Sequence, residues 1–250
     1  MFKNEVDRVG QAAADKVRFL RENPGGYFAS SLMAGMYIGF GILLSFTIGS
    51  MGSMPLMKLF MGMSFACALS LVVMAGAELF TGNNMVMATG FLKKTVSAKE
   101  VLKLWLICYV GNWLGSILLA WIFSRTGLMT EAFCETVAKA AAAKVSIPFG
   151  ALLLRATLCN MLVCVAVWCS IKMTSESGKL IMIFWIIVIF FTAGFEHSVA
   201  NMTLLSLDFM APATAMTMGS YLYNILTVSL GNMIGGVFFV AVPYTLMAKK

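Results

Sequence analysis

Two segments set in long apolar runs constrain this chain more than any other part of it. They are Gly76-Ala77-Glu78-Leu79-Phe80-Thr81-Gly82-Asn83-Asn84-Met85 and Gly194-Phe195-Glu196-His197-Ser198-Val199-Ala200-Asn201-Met202. Each opens on Gly-x-Glu, gathers hydroxyl and amide side chains, and exits through Asn-Met, inside a stretch otherwise apolar enough to cross a bilayer. A polar interruption in such a place must satisfy its own freed amides and carbonyls, and breaks of this kind line permeation paths. The sequence therefore predicts two transmembrane helices broken at membrane depth.

The rest of the chain fits an integral membrane protein: 60% of residues are apolar, 12% are charged, and the mean hydropathy is +0.88. With about 20 apolar residues needed per span, candidate spans fall at 26–49, 56–79 with an extension to 92, 101–123, 147–171, 180–208 and 217–247. The second and fifth of these six carry the breaks.

Charge placement orients the chain. Lys3, Arg8, Lys16, Arg18 and Arg21 precede the first span, Lys93, Lys94, Lys99 and Lys103 link spans two and three, Lys172 and Lys179 link four and five, and Lys249 and Lys250 end the tail. The opposite side holds only Lys58, Arg125, Lys139 and Lys144, and Arg155 falls inside span four. Because Lys and Arg accumulate in cytoplasmic segments, both termini are expected in the cytoplasm, with the protein in the inner (plasma) membrane. The net charge of +7 is thus a topology signal. No aromatic-interleaved basic patch points to nucleic acid.

Residues 1–25 lack the continuous apolar core of a signal peptide. Phe2, Val6, Val9, Ala13, Val17 and Leu20 recur at helical spacing, which predicts an amphipathic helix with this stripe against the membrane interface, ended by Asn23-Pro24-Gly25-Gly26.

The chain also repeats. Gly111-Asn112-Trp113-Leu114-Gly115 and Gly231-Asn232-Met233-Ile234-Gly235 stand 120 residues apart, and Glu78 and Glu196 stand 118 apart. A single transmembrane domain of two three-span units follows, residues 26–123 and 147–247. An odd number of spans per unit makes the second enter from the opposite face, the inverted arrangement that brings two broken helices together near the midplane. The Gly-Asn-x-x-Gly motifs read as close helix packing.

Glu78-Leu79-Phe80-Thr81-Gly82, the run from Phe195 to Met202, the paired Gly-Asn motifs and Leu158-Cys159-Asn160 resemble the signatures of the formate/nitrite transporter family, and the resemblance covers nearly the whole chain. It implies an aquaporin-like all-α fold of six spans, a homopentamer with one pore per protomer, and small monovalent anions of weak acids (formate, nitrite, hydrosulfide) as permeants. The Phe-Glu-His-Ser-Val-Ala-Asn-Met-Thr run and short tail look more like the nitrite and hydrosulfide branches than the formate branch. By resemblance, Phe65 and Phe190 form an outer constriction, Leu69 and Leu79 an inner one, and His197 the central histidine. Thr81 is the mobile loop residue facing it, Asn160 and Asn201 are polar residues nearby, Lys144 stands at the outer vestibule and Lys16 near the inner mouth.

His197 is the sole histidine, and in a broken span its imidazole is placed to donate a hydrogen bond or a proton to an anion. Glu78 and Glu196 read as loop supports that cap freed amides or pair with polar neighbours. Arg155 needs a partner, a water-filled crevice, the pentamer axis or a subunit contact. Cys67, Cys108, Cys159, Cys164 and Cys169 lie in spans and Cys134 in a loop. Their spacing indicates neither a metal site nor a disulfide framework, and no nucleotide or dinucleotide motif suggests a cofactor or an enzyme. A proton-coupled anion symporter would use the same residues. A neutral-solute pore of the aquaporin type would need the paired Asn-Pro-Ala boxes, which are absent.

Overall fold

A computed structural model describes residues 2–212 and 214–248. Lys249 and Lys250, the basic tail of the orientation argument, lie outside the described residues. Every regular element among the described residues is a helix, and none is a strand. The helices are α1 (Lys3–Glu22), α2 (Pro24–Gly49), α3 (Met57–Ala75), α4 (Phe80–Leu92), α5 (Ala98–Ser124), α6 (Glu131–Val145), α7 (Phe149–Lys172), α8 (Glu176–Ala193), α9 (Ser198–Met210) and α10 (Met218–Gly236). A π-helical turn, Val237–Ala241, then joins α10 to α11 (Val242–Met247). Among the described residues, six stretches are long and apolar enough to cross a membrane: α2, α3, α5, α7, α8 and the continuous run Met218–Met247.

Local chemistry sets the ends. Asn23 accepts from the Gly26 amide at the start of α2, whose first residue is Pro24, and Ser97 with Glu100 forms a reciprocal capping box at α5. Both α3 and α8 stop at a glycine in the left-handed region, Gly76 at φ +77° and Gly194 at φ +82°. A Cβ there would cost about 1–2 kcal/mol. After each glycine the chain runs three more residues and restarts as a 13-residue helix, α4 or α9. The backbone thus breaks between α3 and α4 and again between α8 and α9.

Two sequence expectations change. The α1 stripe does not face a membrane interface: Val6, Val9, Ala13 and Leu20 are buried in a core shared with Phe80, Met85, Val86 and Met87 of α4. The helix is held there by Asp7–Lys93 (2.8 Å) and by Thr95 Oγ1 donating to Gly10 O (2.8 Å). An apolar stripe is satisfied by any apolar partner, and α4 supplies one. Likewise Cys134 lies within α6, not in a loop. Thr130 caps that helix, and its run of alanines favours helix.

The long helices pack through the Gly-Asn motifs. A Cβ on Gly111 would press on Ser31 of α2, and one on Gly115 would overlap the Leu32 carbonyl oxygen. A Cβ on Gly35 would in turn overlap the Asn112 carbonyl oxygen. On the other side, Gly231 and Gly235 of α10 stand against Leu153, Ala156 and Thr157 of α7. Small residues thus let α5 approach α2, and α10 approach α7, at backbone contact. Around them, α3 packs on α8 and α9 on α5.

Because overpacking such contacts costs about 1–3 kcal/mol, Gly115→Ala and Gly235→Ala are each expected to lower the thermal unfolding midpoint in detergent by several degrees. Gly150→Ala, at a position where a Cβ meets nothing within 4 Å, should leave it unchanged.

Candidate functional site

The two interruptions are held by one device used twice. Asn112 of α5 accepts from the Phe80 amide through Oδ1 (2.9 Å), and its Nδ2 donates to the carbonyls of Glu78 (2.9 Å) and Ser31 (2.7 Å). Asn232 of α10 accepts from the Ser198 amide (2.9 Å) and donates to the carbonyls of Glu196 (3.0 Å) and Ala156 (2.8 Å). Each carboxamide spans the break, bonding the last residues of the loop and the first amide of the restarting helix. A buried backbone group left without such a partner costs about 1–3 kcal/mol.

Each interruption also carries a buried carboxylate held by a lysine. Lys16 Nζ bonds Glu78 Oε1 (2.6 Å), while Glu78 Oε2 accepts from Asn83 Nδ2 (2.8 Å) and the Tyr27 hydroxyl (3.2 Å). Lys144 Nζ bonds both oxygens of Glu196 (2.8 and 2.7 Å), and Asn201 Nδ2 donates to Glu196 Oε2 (2.7 Å). Asn224 closes the second network by accepting from Asn201 (2.8 Å) and donating to the Lys144 carbonyl (3.0 Å). Pairing offsets the desolvation that isolated charges would incur here.

Between the two breaks, His197 meets Thr81, with Nε2 3.0 Å from Thr81 Oγ1. His197 is the N-cap of α9, and its Nδ1 accepts from the Ala200 amide (3.2 Å). That acceptor role assigns the proton of the neutral ring to Nε2, which donates toward Thr81. Leu79, the residue at the corresponding place before α4, gives no side-chain cap. The Thr81 and Gly82 amides therefore lack the kind of bond that His197 gives Ala200.

Two cavities approach this pair from opposite ends of α3. One, of about 550 Å³, lies under α6 and is lined by Phe65, Phe190, Glu196, His197, Asn201 and Lys144, among others. The other, of about 400 Å³, lies beside α1 and is lined by Leu69, Leu79, Glu78 and Lys16, among others. Phe65 and Leu69 are four residues apart on one helix, so the septum between the cavities is about 6 Å thick at a rise of about 1.5 Å per residue. Phe65 and Phe190 meet edge to face at 5.9 Å, and Phe190 stacks on the His197 ring at 6.1 Å. Phe65, Phe190, Leu69, Leu79, Thr81 and His197 are all buried.

The structure thus brings together most residues singled out from sequence, though with different partners for three of them. Asn160 donates to the Thr81 carbonyl (3.2 Å), Asn84 Oδ1 (3.1 Å) and the Asn232 carbonyl (2.6 Å), so it fastens the Thr81 backbone and does not bond the imidazole. Asn201 is engaged with Glu196 and Asn224, and the Lys144 ammonium with Glu196. Sequence reasoning missed Tyr27, Asn83 and Asn224 as network members. It took Asn112 and Asn232 for packing residues, although their nearly equal offsets from the two breaks, 34 residues after Glu78 and 36 after Glu196, were a legible signal. Arg155 is exposed on α7 in the protomer, and its carbonyl accepts from the Glu196 amide (3.3 Å).

Comparison with known proteins gives consistent likenesses. The family model described as formate/nitrite transporter matches residues 3–246. A nitrite transporter, NirC, of Salmonella typhimurium is 37% identical over 252 residues, covering 100% of this chain and 93% of its own. A probable formate transporter of Methanothermobacter thermautotrophicus is 35% identical, covering 97% and 96%. Among solved structures, an FNT family ion channel superposes with a TM-score of 0.95 at 35% identity over 100% of both chains. A pentameric formate channel with formate bound superposes with a TM-score of 0.79 at 28% identity, covering 92% of this chain and 99% of that one.

Replacing Asn112 or Asn232 by Ala removes three hydrogen bonds in each case and leaves the Phe80 or Ser198 amide without its acceptor. At about 1–3 kcal/mol for an orphaned group, each variant is expected to lose monodisperse protein on size-exclusion chromatography and to melt well below the parent. Equal melting would show that other groups satisfy the breaks.

Proposed function

This chain belongs to the formate/nitrite transporter family, and we propose that each protomer passes small monovalent anions of weak acids, nitrite and formate first among them, along a path from the α6 cavity to the α1 cavity. Family membership makes the protein a multi-pass membrane anion channel or transporter and not an enzyme. The single observation that carries the finer reading is the His197–Thr81 contact, set in a septum with an aromatic pair on one side and leucines on the other.

The chemistry runs as follows. An anion entering the α6 cavity loses water at Phe65 and Phe190, which offer no hydrogen bond in return. At the septum the His197 Nε2–H and the Thr81 hydroxyl exchange their mutual bond for bonds to the anion, and the open amides of Thr81 and Gly82 lie within the same turn. Leu69 and Leu79 form the second dry constriction. Glu78 with Lys16, and Glu196 with Lys144, hold the loops in place. Full protonation of His197 would place a proton on Nδ1 and break the cap to Ala200. The neutral ring is therefore the working form, and His197 stabilises the anion as a hydrogen-bond donor. This favours channel-like permeation over proton-coupled symport.

The assembly proposed is a homopentamer in a lipid bilayer, on the likeness to a pentameric channel. Oligomerisation would cover part of the apolar surface of α5 and α7, where Leu102, Leu106, Leu114, Leu154 and Leu158 are exposed, and would bring neighbours to the exposed Arg155. We further place the protein in the inner (plasma) membrane with both termini cytoplasmic, because the α1 side carries most of the basic residues. The two interruptions then fall at membrane depth, and residues 26–123 and 147–247 form two inverted three-helix repeats, a division supported by the matching bonds of Asn112 and Asn232.

The test uses proteoliposomes with potential clamped, comparing nitrite, formate, hydrosulfide and glycerol over pH 5 to 8. Anion flux that follows potential is expected, with His197→Asn lowering it at least about tenfold. Asparagine retains an N-cap acceptor for Ala200 and removes the Nε2 donor, so the loss reports the donor and not the fold. Thr81→Val should give a smaller loss. Unchanged flux in His197→Asn defeats the donor role, saturable flux driven by the proton gradient at zero potential favours symport, and glycerol flux without anion flux rejects the family-based function.

A further inference from the structure

Of the basic residues on the α6 side of the molecule, Arg125 lines a separate cavity, and Lys58, Lys139 and Lys144 all line the α6 cavity. Glu196 is the sole carboxylate in that lining. It is fully occupied by Lys144, with both of its oxygens within 2.8 Å of the ammonium. The charge of Lys144 is therefore neutralised at the cavity wall and is a weak source of long-range field.

Lys58 and Lys139 are different. Both are exposed, and among the described residues neither forms an ion pair. Lys58 is the second residue of α3, and a Cβ built on Gly194 would stand 3.1 Å from its Nζ. The ammonium thus hangs over the interrupted end of α8, on the way to Phe190 and His197. Lys139 shares one face of α6 with Thr136, Ala140, Ala143 and Lys144, all of which look into the cavity. The acidic residues of the same helix, Glu131 and Glu135, line another cavity with Asp208. Helix α6 therefore sorts its charges, presenting cations to this cavity and carboxylates away from it. These lysines also lie on the side where the membrane orientation rule disfavours basic residues, so topology does not account for them.

Resting on the permeation path proposed above, we propose that Lys58 and Lys139 form a recruitment site for small monovalent anions at the mouth of the α6 cavity, concentrating them ahead of the Phe65–Phe190 constriction. The site acts through space on hydrated anions, because a cation-lined cleft with low-dielectric walls focuses the field and raises local counter-ion concentration. The α1 cavity has a weaker counterpart: there Lys16 is bound to Glu78, while Lys179 lies 4.0 Å from the exposed Glu176.

The experiment measures nitrite and formate flux against concentration in proteoliposomes at about 10 mM and about 300 mM ionic strength, for the parent, Lys58→Gln/Lys139→Gln and Lys58→Arg/Lys139→Arg. Screening lengths fall from about 30 Å to well under 10 Å between those conditions. Two charges acting through water over about 10 Å give an effect of roughly three- to fivefold. The expected result is a three- to fivefold rise in half-saturation concentration for the glutamine variant at low ionic strength. The maximal rate should be unchanged, the difference should vanish at high ionic strength, and the arginine variant should behave as the parent. A glutamine variant indistinguishable from the parent at low ionic strength overturns the proposal, as does a loss that persists undiminished at high salt. A parent protein that carries neither anion overturns the permeation path itself, and the recruitment site with it.

Discussion

The structure depends on the need to satisfy backbone groups where two helices stop and restart among apolar neighbours. Water cannot serve those groups inside a helical bundle, so side chains must. Asn112 and Asn232 do so because a carboxamide carries a donor and an acceptor on one short, rigid plane, able to bond a carbonyl before the break and an amide after it. The glycines beside each asparagine and about one turn beyond it belong to the same device. Gly111 with Gly115, and Gly231 with Gly235, bring α5 and α10 close enough to α2 and α7 for each carboxamide to bond the facing helix as well, at the carbonyls of Ser31 and Ala156. Close packing and loop support are one requirement met by one motif.

The carboxylates form a second layer around these loops. Glu78 and Glu196 sit next to the interruptions, where an unpaired charge would be costly and would repel the anions proposed to pass. Each is neutralised by a lysine delivered from a helix outside the broken pair, α1 for Glu78 and α6 for Glu196. Each is further fixed by an asparagine from the first turns of the restarting helix, Asn83 or Asn201. The two loops are thereby fixed by polar groups whose charges cancel, and Lys58 and Lys139 are left as the unpaired cations in the lining of the α6 cavity.

Much of this was legible in the sequence because it is encoded locally. Spans follow from apolar run length, the stops of α3 and α8 from Gly76 and Gly194, and the pairing of the two breaks from offsets of 118 and 120 residues. The family resemblance added Phe65, Phe190 and Leu69, which would otherwise read as ordinary span residues. What escaped was tertiary. The α1 stripe specifies a greasy partner but not whether that partner is lipid or α4. Nothing near Lys144 in the chain reveals that Glu196, 52 residues on, takes its charge, nor does anything near Asn160 show that it fastens the Thr81 carbonyl. Helix α6 escaped as well, because its Ala-rich run falls below the hydropathy of a span.

One departure from the duplicated pattern reaches further than the rest. The offset that pairs Glu78 with Glu196 also pairs Leu79 with His197, so the two halves share a skeleton but differ at the residue facing the septum. An anion coming from the α6 side would meet the imidazole directly behind the aromatic pair, whereas one from the α1 side would pass Lys16 and then the leucines before reaching it. The free-energy profile along such a path is skewed. A skewed profile cannot move solute against its gradient, but it makes the conductance differ for equal and opposite driving forces. Rectification would then follow from the chemical difference between Leu79 and His197 at matching places in the two breaks.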